Sequence, residues 1–259
     1  MTRMTHDEYL PSRALSPFIK AYKIIGSRAE ITNRILPDTS FPLAFRLRGQ
    51  VSLIVDKEKI PLPFATFSGL RKSAKLINYA ANAKALIVLF KEGAIQAFFR
   101  DPVHELFNQS LSLQEMVPRS EISEIEERLN DTAANASKIV LIEKFLLRKL
   151  TYREPDKMVI KAISKIKEAK GNLKVKELVN HLYVSRDVLE KRFRKATGAT
   201  PKQFAHIIRM NAVIKDLPTT SSLQDIAFQS GHYDLPHFTK NFKTFTGQTP
   251  LQFSASPNW

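Results

Sequence analysis

Two stretches of this chain carry polar and charged side chains at helical spacing opposite an apolar stripe, and the two stretches match. In the first, Arg186, Asp187, Glu190, Lys191 and Arg194 are expected to project away from a stripe of Val188, Leu189 and Phe193. In the second, Leu235, Pro236, Thr239, Lys240 and Lys243 project away from Phe238, Phe242 and Phe245. Cations on such a face can pair with guanine edges or phosphates, and Asp or Glu can accept from a cytosine amino group. On a single helix the same charges read as a solvated face. Here the face occurs twice, at one spacing. Sliding the sequence by 49 residues lays Lys191 on Lys240, Phe193 on Phe242, Thr197 on Thr246 and Gly198 on Gly247. It also lays Thr200 on Thr249, Pro201 on Pro250, Gln203 on Gln252 and Phe204 on Phe253. Chance identity is roughly one in sixteen, so eight matches in a 16-residue window mark an internal duplication.

The elements that must hold these faces follow from the pattern around them. Val175, Leu178, Val179 and Leu182 line one short helix, Tyr183-Val184 ends it, and Ser185 is placed to cap the next. In the second copy Leu223, Ile226 and Ala227 precede Ser230-Gly231. Two short helices joined by a tight turn set the second helix into a major groove about 12 Å wide. The period predicts helices over 156–169, 175–181, 185–197, 201–216, 223–229 and 235–245, with a stub at 250–253. Gly171, Gly198, Gly231 and Gly247 fall where helix C-termini favour a left-handed residue.

The order Leu178, Ser185, Leu189, Phe193, Gly198-x-x-Pro201 and Arg209, followed by Ile226-Ala227, Gly231, His237-Phe238, Phe242-Lys243, Gly247-x-Thr249-Pro250 and Phe253, resembles the AraC/XylS transcription regulators over about residues 156–254. The resemblance implies two helix-turn-helix subdomains bridged by a long helix, here 201–216, with recognition helices entering successive major-groove segments on one DNA face. It places the base-reading positions on Asp187, Glu190 and Lys191, and on Leu235, Pro236 and Lys240. Ser185, Arg186, Arg194, His237, Thr239 and Lys243 complete the expected DNA-binding set. Three residues depart from the family pattern. His232 stands where Phe is usual, Val213 replaces an Ala in the bridging helix, and Leu235-Pro236 are poor hydrogen-bonders. The first recognition helix is therefore expected to be the better reader, with the second contacting thymine methyls or phosphates.

Before residue 90 the pattern has a different character. Short β-branched and aromatic runs at 18–25, 41–47, 51–55, 65–69, 75–79 and 85–90 alternate with turn signals such as Leu36-Pro37-Asp38 and Arg48-Gly49-Gln50. Pro61 and Pro63 confine their segment to a loop or a sheet edge. The expected fold class is α+β: a small N-terminal β-barrel or sandwich, cupin-like by a weaker resemblance, with flanking helices, ahead of the all-α double helix-turn-helix domain. Those flanking helices are expected at 92–99, at 101–107 with Asp101 as cap and Pro102 at its first turn, at 120–130 capped by Ser120, and at 137–150. The polar, proline-bearing stretch 151–156 places the boundary between domains 1–152 and 153–259. The helices at 120–150 are candidates for a homodimer surface or for a cover over the barrel. The resemblance also implies RNA polymerase as a partner and allows a small-molecule effector.

Composition excludes other classes. There is no cysteine among 259 residues, which removes disulfides, thiolate nucleophiles and Cys-ligated zinc, together with the related DNA-repair alkyltransferase regulators. The N-terminal half has only His6 and His104, with no His-x-His pair, so no metal site and no cofactor is expected there. No phosphate-binding glycine loop and no Ser/His/Asp set is present. The first fifteen residues carry Arg3, His6, Asp7, Glu8 and Arg13 and no apolar run, so neither a secretion signal nor a membrane span is expected. A cytoplasmic, non-enzymatic, DNA-binding transcription activator is the resulting expectation. A ligand-binding or enzymatic barrel with a degenerate helical tail is the competing class. The net charge of +15 divides as +9 on residues 153–259 and +6 on 1–152, densest where the duplication lies. A basic cluster at Arg71, Lys72 and Lys75, following Ser68-Gly69, could bind an anion, with a solvated loop as the preferred reading.

Overall fold

The computed structural model describes residues 4–99, 103–151, 155–217, 222–231 and 233–255. Asp101, Pro102, the residues 152–154 at the expected domain boundary, and His232 lie outside this set, as does the side chain of His104.

Among the described residues, ten strands form two antiparallel sheets. One sheet has the order β1 (Thr5–Tyr9), β2 (Ile19–Gly26), β9 (Lys84–Phe90), β4 (Phe41–Arg48), β7 (Ala65–Ser68) and β10 (Ser110–Ser112). The other has the order β3 (Ile31–Ile35), β8 (Lys75–Tyr79), β5 (Val51–Val55) and β6 (Glu58–Pro61). The two sheets stay separate, so the expected barrel-or-sandwich is an open two-sheet arrangement and not a closed barrel. Alternation decides which face is buried: Phe41, Leu43 and Phe45 on β4 point inward and are wholly buried, between half-buried Pro42, Ala44 and Arg46. Pro42 is tolerated in a central strand because β7 pairs only with Leu43, Ala44 and Phe45, so no ladder bond needs the missing N–H. Pro61 ends β6, an edge strand, as its lost donor requires.

Strands β1, β3 and β10 lie outside the sequence expectation. The predicted helices at 92–99 and 101–107 are reduced to short 3-10 turns at Ile95–Ala97 and Val103–Leu106. Helix α1 (Arg119–Asp131) starts behind Pro118, with Ser120 inside the helix and not at its cap. Its Ile122, Ile125 and Leu129 pack in the same core as Ile139, Ile142 and Leu146 of α2 (Asn135–Lys149). Glu143 on α2 accepts from the Ser12 backbone N–H at 2.7 Å and from the Tyr22 hydroxyl at 3.2 Å, which ties the helix to the six-stranded sheet.

Seven helices follow among the described residues: α3 (Lys157–Glu168), α4 (Val175–Leu182), α5 (Arg186–Thr197), α6 (Pro201–Asp216), α7 (Leu223–Gln229), α8 (Leu235–Thr246) and α9 (Pro250–Ser254). Their limits agree with the sequence expectation to within a residue or two. Gly171, Gly198, Gly231 and Gly247 all have φ between +69° and +81°, the left-handed conformation expected of them. Arg71 is not the solvated loop residue expected. Its guanidinium is half-buried and bonds the Leu36 carbonyl, and burial lowers its pKa against a smaller opposing pull from Asp38.

Candidate nucleic-acid interface

The first recognition helix, α5, begins where the Ser185 side chain accepts from the Val188 N–H at 3.3 Å. The turn before it is closed by Tyr183 in a left-handed conformation (φ 53°), which ends α4. The second recognition helix, α8, begins where the Asp234 carboxylate accepts from the His237 N–H at 2.7 Å, with Pro236 in its first turn. Both caps point the N-terminal turns outward, because the stripes behind them are fully buried: Leu189 and Phe193 in α5, and Phe238, Phe242 and Phe245 in α8. Val188 departs from its expected place in the stripe. It is 43% exposed on the outer face, beside the charged residues.

The two helices end alike. In α5 the buried Thr197 hydroxyl donates to the Phe193 carbonyl at 2.9 Å, and in α8 Thr246 donates to Phe242 at 2.8 Å. Gly198 and Gly247 then reverse the chain, and Thr200 with Gln203 and Thr249 with Gln252 form matching capping boxes. Phe193 meets Phe204 edge to face with ring centres 5.4 Å apart, and Phe242 meets Phe253 at the same separation. The 49-residue duplication is thus a duplicated piece of packing.

The outer faces hold most of the expected reading residues. Arg186, Asp187, Lys191 and Arg194 are exposed on α5, and Leu235, Pro236, His237, Lys240 and Lys243 on α8; Glu190 and Thr239 are half-buried. Arg186 is already engaged. Glu190 accepts from its Nε at 2.8 Å, and this bond holds the guanidinium above its ordinary pKa. Lys191, Arg194, Lys240 and Lys243 form no ion pair with any described residue, which leaves four cations open to an external anion. His237 approaches Asn241 along its own helix at 3.2 Å. Two residues stand outside the expected DNA-binding set: Tyr183, expected only as a helix stop, and Tyr233, 94% and 91% exposed in the turns that lead into the two recognition helices. Their signal was an aromatic in a turn with no apolar partner at helical spacing. No group of three or more metal-ligating side chains occurs among the described residues.

The N-terminal domain reaches the same helices from the opposite end. The Ala74 N–H donates to the Phe245 carbonyl at 2.8 Å, and Arg34 Nη1 donates to the Thr246 carbonyl at 2.9 Å. Gln96 donates to the Lys195 carbonyl near the end of α5. These acceptors belong to the last turns of the recognition helices, where carbonyls lack intrahelical partners. A Cβ on Gly247 would come within 2.2 Å of Arg34 Nη1, so glycine serves both the turn and this approach. Asn211 of α6 donates to the Pro37 carbonyl at 3.1 Å. Lys167 of α3 pairs with Glu92 at 2.7 Å; burial would raise the Glu92 pKa, but Lys167 and Thr39 hold it below the ordinary carboxylate range.

Residues 178–256 match a family model described as a helix-turn-helix domain. This segment is an AraC-type helix-turn-helix domain. Residues 7–112 match a second model, DUF6597, a domain of unknown function. An uncharacterized HTH-type transcriptional regulator of Staphylococcus aureus strain MSSA476 is 32% identical over 83 residues, which cover 32% of this chain and 11% of that protein. The chain therefore spans about a tenth of the length of the curated relatives it matches. Among solved structures, ToxT from Vibrio cholerae is 14% identical at a TM-score of 0.47, covering 87% of this chain and 97% of that one. A transcriptional regulator from Chromobacterium violaceum is 25% identical at a TM-score of 0.36, covering 38% of this chain and 89% of that one. The AraC-type segment contains every residue expected to touch DNA, from Ser185 to Lys243. Among the described residues no helix is long and apolar enough to cross a membrane.

Proposed function

We propose that this chain is a sequence-specific DNA-binding transcription regulator, and that its two modules occupy adjacent major-groove segments near a promoter. The observation that carries the reading is the pair of capped helices α5 and α8, built by one repeated scaffold and carrying unpaired cations on their outer faces. Phosphate contacts from Lys191, Arg194, Lys240 and Lys243 supply affinity, and base-edge contacts supply specificity. Asp187, Glu190 and Lys191 read bases from α5, while Leu235, Pro236 and Lys240 face bases or thymine methyls from α8. Ser185, Arg186, His237 and Thr239 flank them. The working division is an N-terminal sensor or dimerisation domain over 1–152 and a DNA-binding domain over 153–259, in a cytoplasmic protein with no catalytic role. Val140 and Leu147, two turns apart on the outer face of α2 and 49% and 40% exposed, support a homodimer through the α1–α2 pair. Activation by recruiting RNA polymerase, and response to a small-molecule effector, complete the reading on family resemblance.

In vitro selection of duplex DNA with the full-length protein tests it. The expected product is a site with two conserved blocks about one helical turn apart on one face. Its affinity should fall with salt at a log–log slope of roughly −0.9 per phosphate contacted. A flat salt response, or no enrichment of any sequence, overturns the reading.

A further inference from the structure

The two helix-turn-helix modules do not meet flush. Beneath α6, between them, lies a hollow of about 490 Å³. Lys174 and Val175 at the start of α4 form one wall, Phe228 and Gly231 at the end of α7 form another, and Lys202 and Arg209 of α6 span the two. No Asp or Glu among the described residues lines it. Arg209 is the unusual member. Its Nε is sealed from solvent with no hydrogen-bond partner, and its guanidinium forms no hydrogen bond or ion pair with any described residue. Burial lowers its pKa, and no neighbouring carboxylate opposes the shift. A smaller hollow of about 90 Å³ on its other side is lined by Asp216, but the two side chains form no ion pair. Arg209 is half-buried, and sealing its Nε without a partner costs free energy that the free protein does not recover. Such a group is placed for a ligand that arrives from outside.

We propose that this hollow receives a backbone phosphate of bound duplex DNA, from the stretch separating the two major-groove segments, with Arg209 as its charge partner and Lys174 and Lys202 at the rim. The proposal rests on the DNA-binding reading above. Two recognition helices in successive major-groove segments on one DNA face leave a minor groove between them, bordered by two phosphate ridges, and those ridges must pass between the modules. The first helix of a helix-turn-helix unit crosses the backbone, and the start of such a helix, α4, walls the hollow. On the other side Gly231 stands three residues before the Asp234 cap of α8. A guanidinium offers a planar fork of donors that matches phosphate oxygens.

The test uses the full-length protein and a selected operator duplex, with neutral methylphosphonates placed singly through the central stretch. Wild type, Arg209→Gln and Lys202→Gln are compared. At one or two central positions the neutral linkage should weaken wild-type binding about tenfold. It should weaken R209Q no further, and R209Q should show a salt slope lower by about one. Without DNA, R209Q should melt at the same temperature as wild type or higher, because the substitution removes a half-buried charge that has no ion pair among the described residues. Lys202 is exposed and its substitution should not disturb folding, so K202Q should show a smaller loss at the same phosphates. An R209Q protein that melts lower and still suffers the central penalty makes Arg209 a structural residue and overturns the proposal. A wild type insensitive to every central methylphosphonate, yet stabilised by inorganic phosphate where R209Q is not, assigns the hollow to a free anion and also overturns it. A wild type that selects no duplex at all defeats the DNA-binding reading itself, an outcome distinct from these.

Discussion

The two helix-turn-helix modules share a scaffold and differ at their tips. Position for position, Phe193 and Phe242, Thr197 and Thr246, Gly198 and Gly247, and the two Thr-x-x-Gln boxes make the same contacts. The outer positions have diverged. Where α5 carries the acidic and basic set Asp187, Glu190 and Arg186, α8 carries Pro236, Thr239 and Leu235. The anchoring differs as well. Arg192 on α5 forks the Asp156 carboxylate at 2.7 and 2.6 Å, bolting the first recognition helix to α3. Its counterpart on α8 is Asn241, which bonds His237 on the same helix, while the Arg34 and Ala74 contacts hold that helix from the N-terminal domain. Module one thus has a brace of its own from α3, while both recognition helices also meet the N-terminal domain, α5 at the turn Val103–Leu106 and through Gln96, α8 through Arg34 and Ala74. Duplication kept what folds and released what reads.

The largest test of a common scaffold is Phe193→Ala beside Phe242→Ala. Each removes a wholly buried ring, and each should cost about 3–5 kcal/mol in urea unfolding. A loss below about 1 kcal/mol at either site would break the equivalence. The tips are separated by Lys191→Ala and Lys240→Ala, which occupy the same register. On a panel of operator variants, K191A should erode discrimination between bases by about tenfold. K240A should weaken all sequences alike and lower the salt slope by about one. A greater loss of specificity at Lys240 reverses the assignment of reader and anchor.

The smallest effect concerns the brace of module one. Asp156 also caps α3, accepting from Met158 and Val159. Partial burial raises its pKa, but bonds from Arg192 and those amides outweigh this and hold it below the ordinary value. A depressed carboxyl stabilises the fold above its unfolded pKa of about 3.9 and loses that contribution as pH falls through the folded one. Asp156→Ala should therefore cost about 1 kcal/mol near neutrality, and the gap in melting temperature should begin to close below about pH 4 and keep narrowing as pH falls through the folded value. A gap that stays constant down to pH 2 would show that the cap and fork carry no charge-dependent share.

The helical domain was legible in sequence because its stops are covalent facts. Glycines at positive φ, Thr caps and prolines in first turns mark each limit directly. The sheets were half legible. β1 and β3, with the sequences Thr5–Tyr9 and Ile31–Ile35, are polar or mixed segments that lie at sheet edges and are strands because a neighbour pairs with them. Nothing in their own composition demands it. Val188 was misplaced for a related reason. α5 buries Leu189, Phe193, Ala196 and Thr197, a stripe that runs toward the helix end, and Val188, one position before it, turns outward. Arg209 read as one residue of the family pattern, and only the gap between modules shows that its Nε has no partner.

The hydrogen bonds from the N-terminal domain to α5 and α8 fall on the carbonyls of Lys195, Phe245 and Thr246. A carbonyl is the same whatever side chain stands beside it. That makes these bonds blind to sequence along the outer faces, so the reading residues are free to drift to new operators without renegotiating them. It also means that a foreign AraC-type helix pair, grafted with Gly247 retained, would present the same three acceptors to the same three donors.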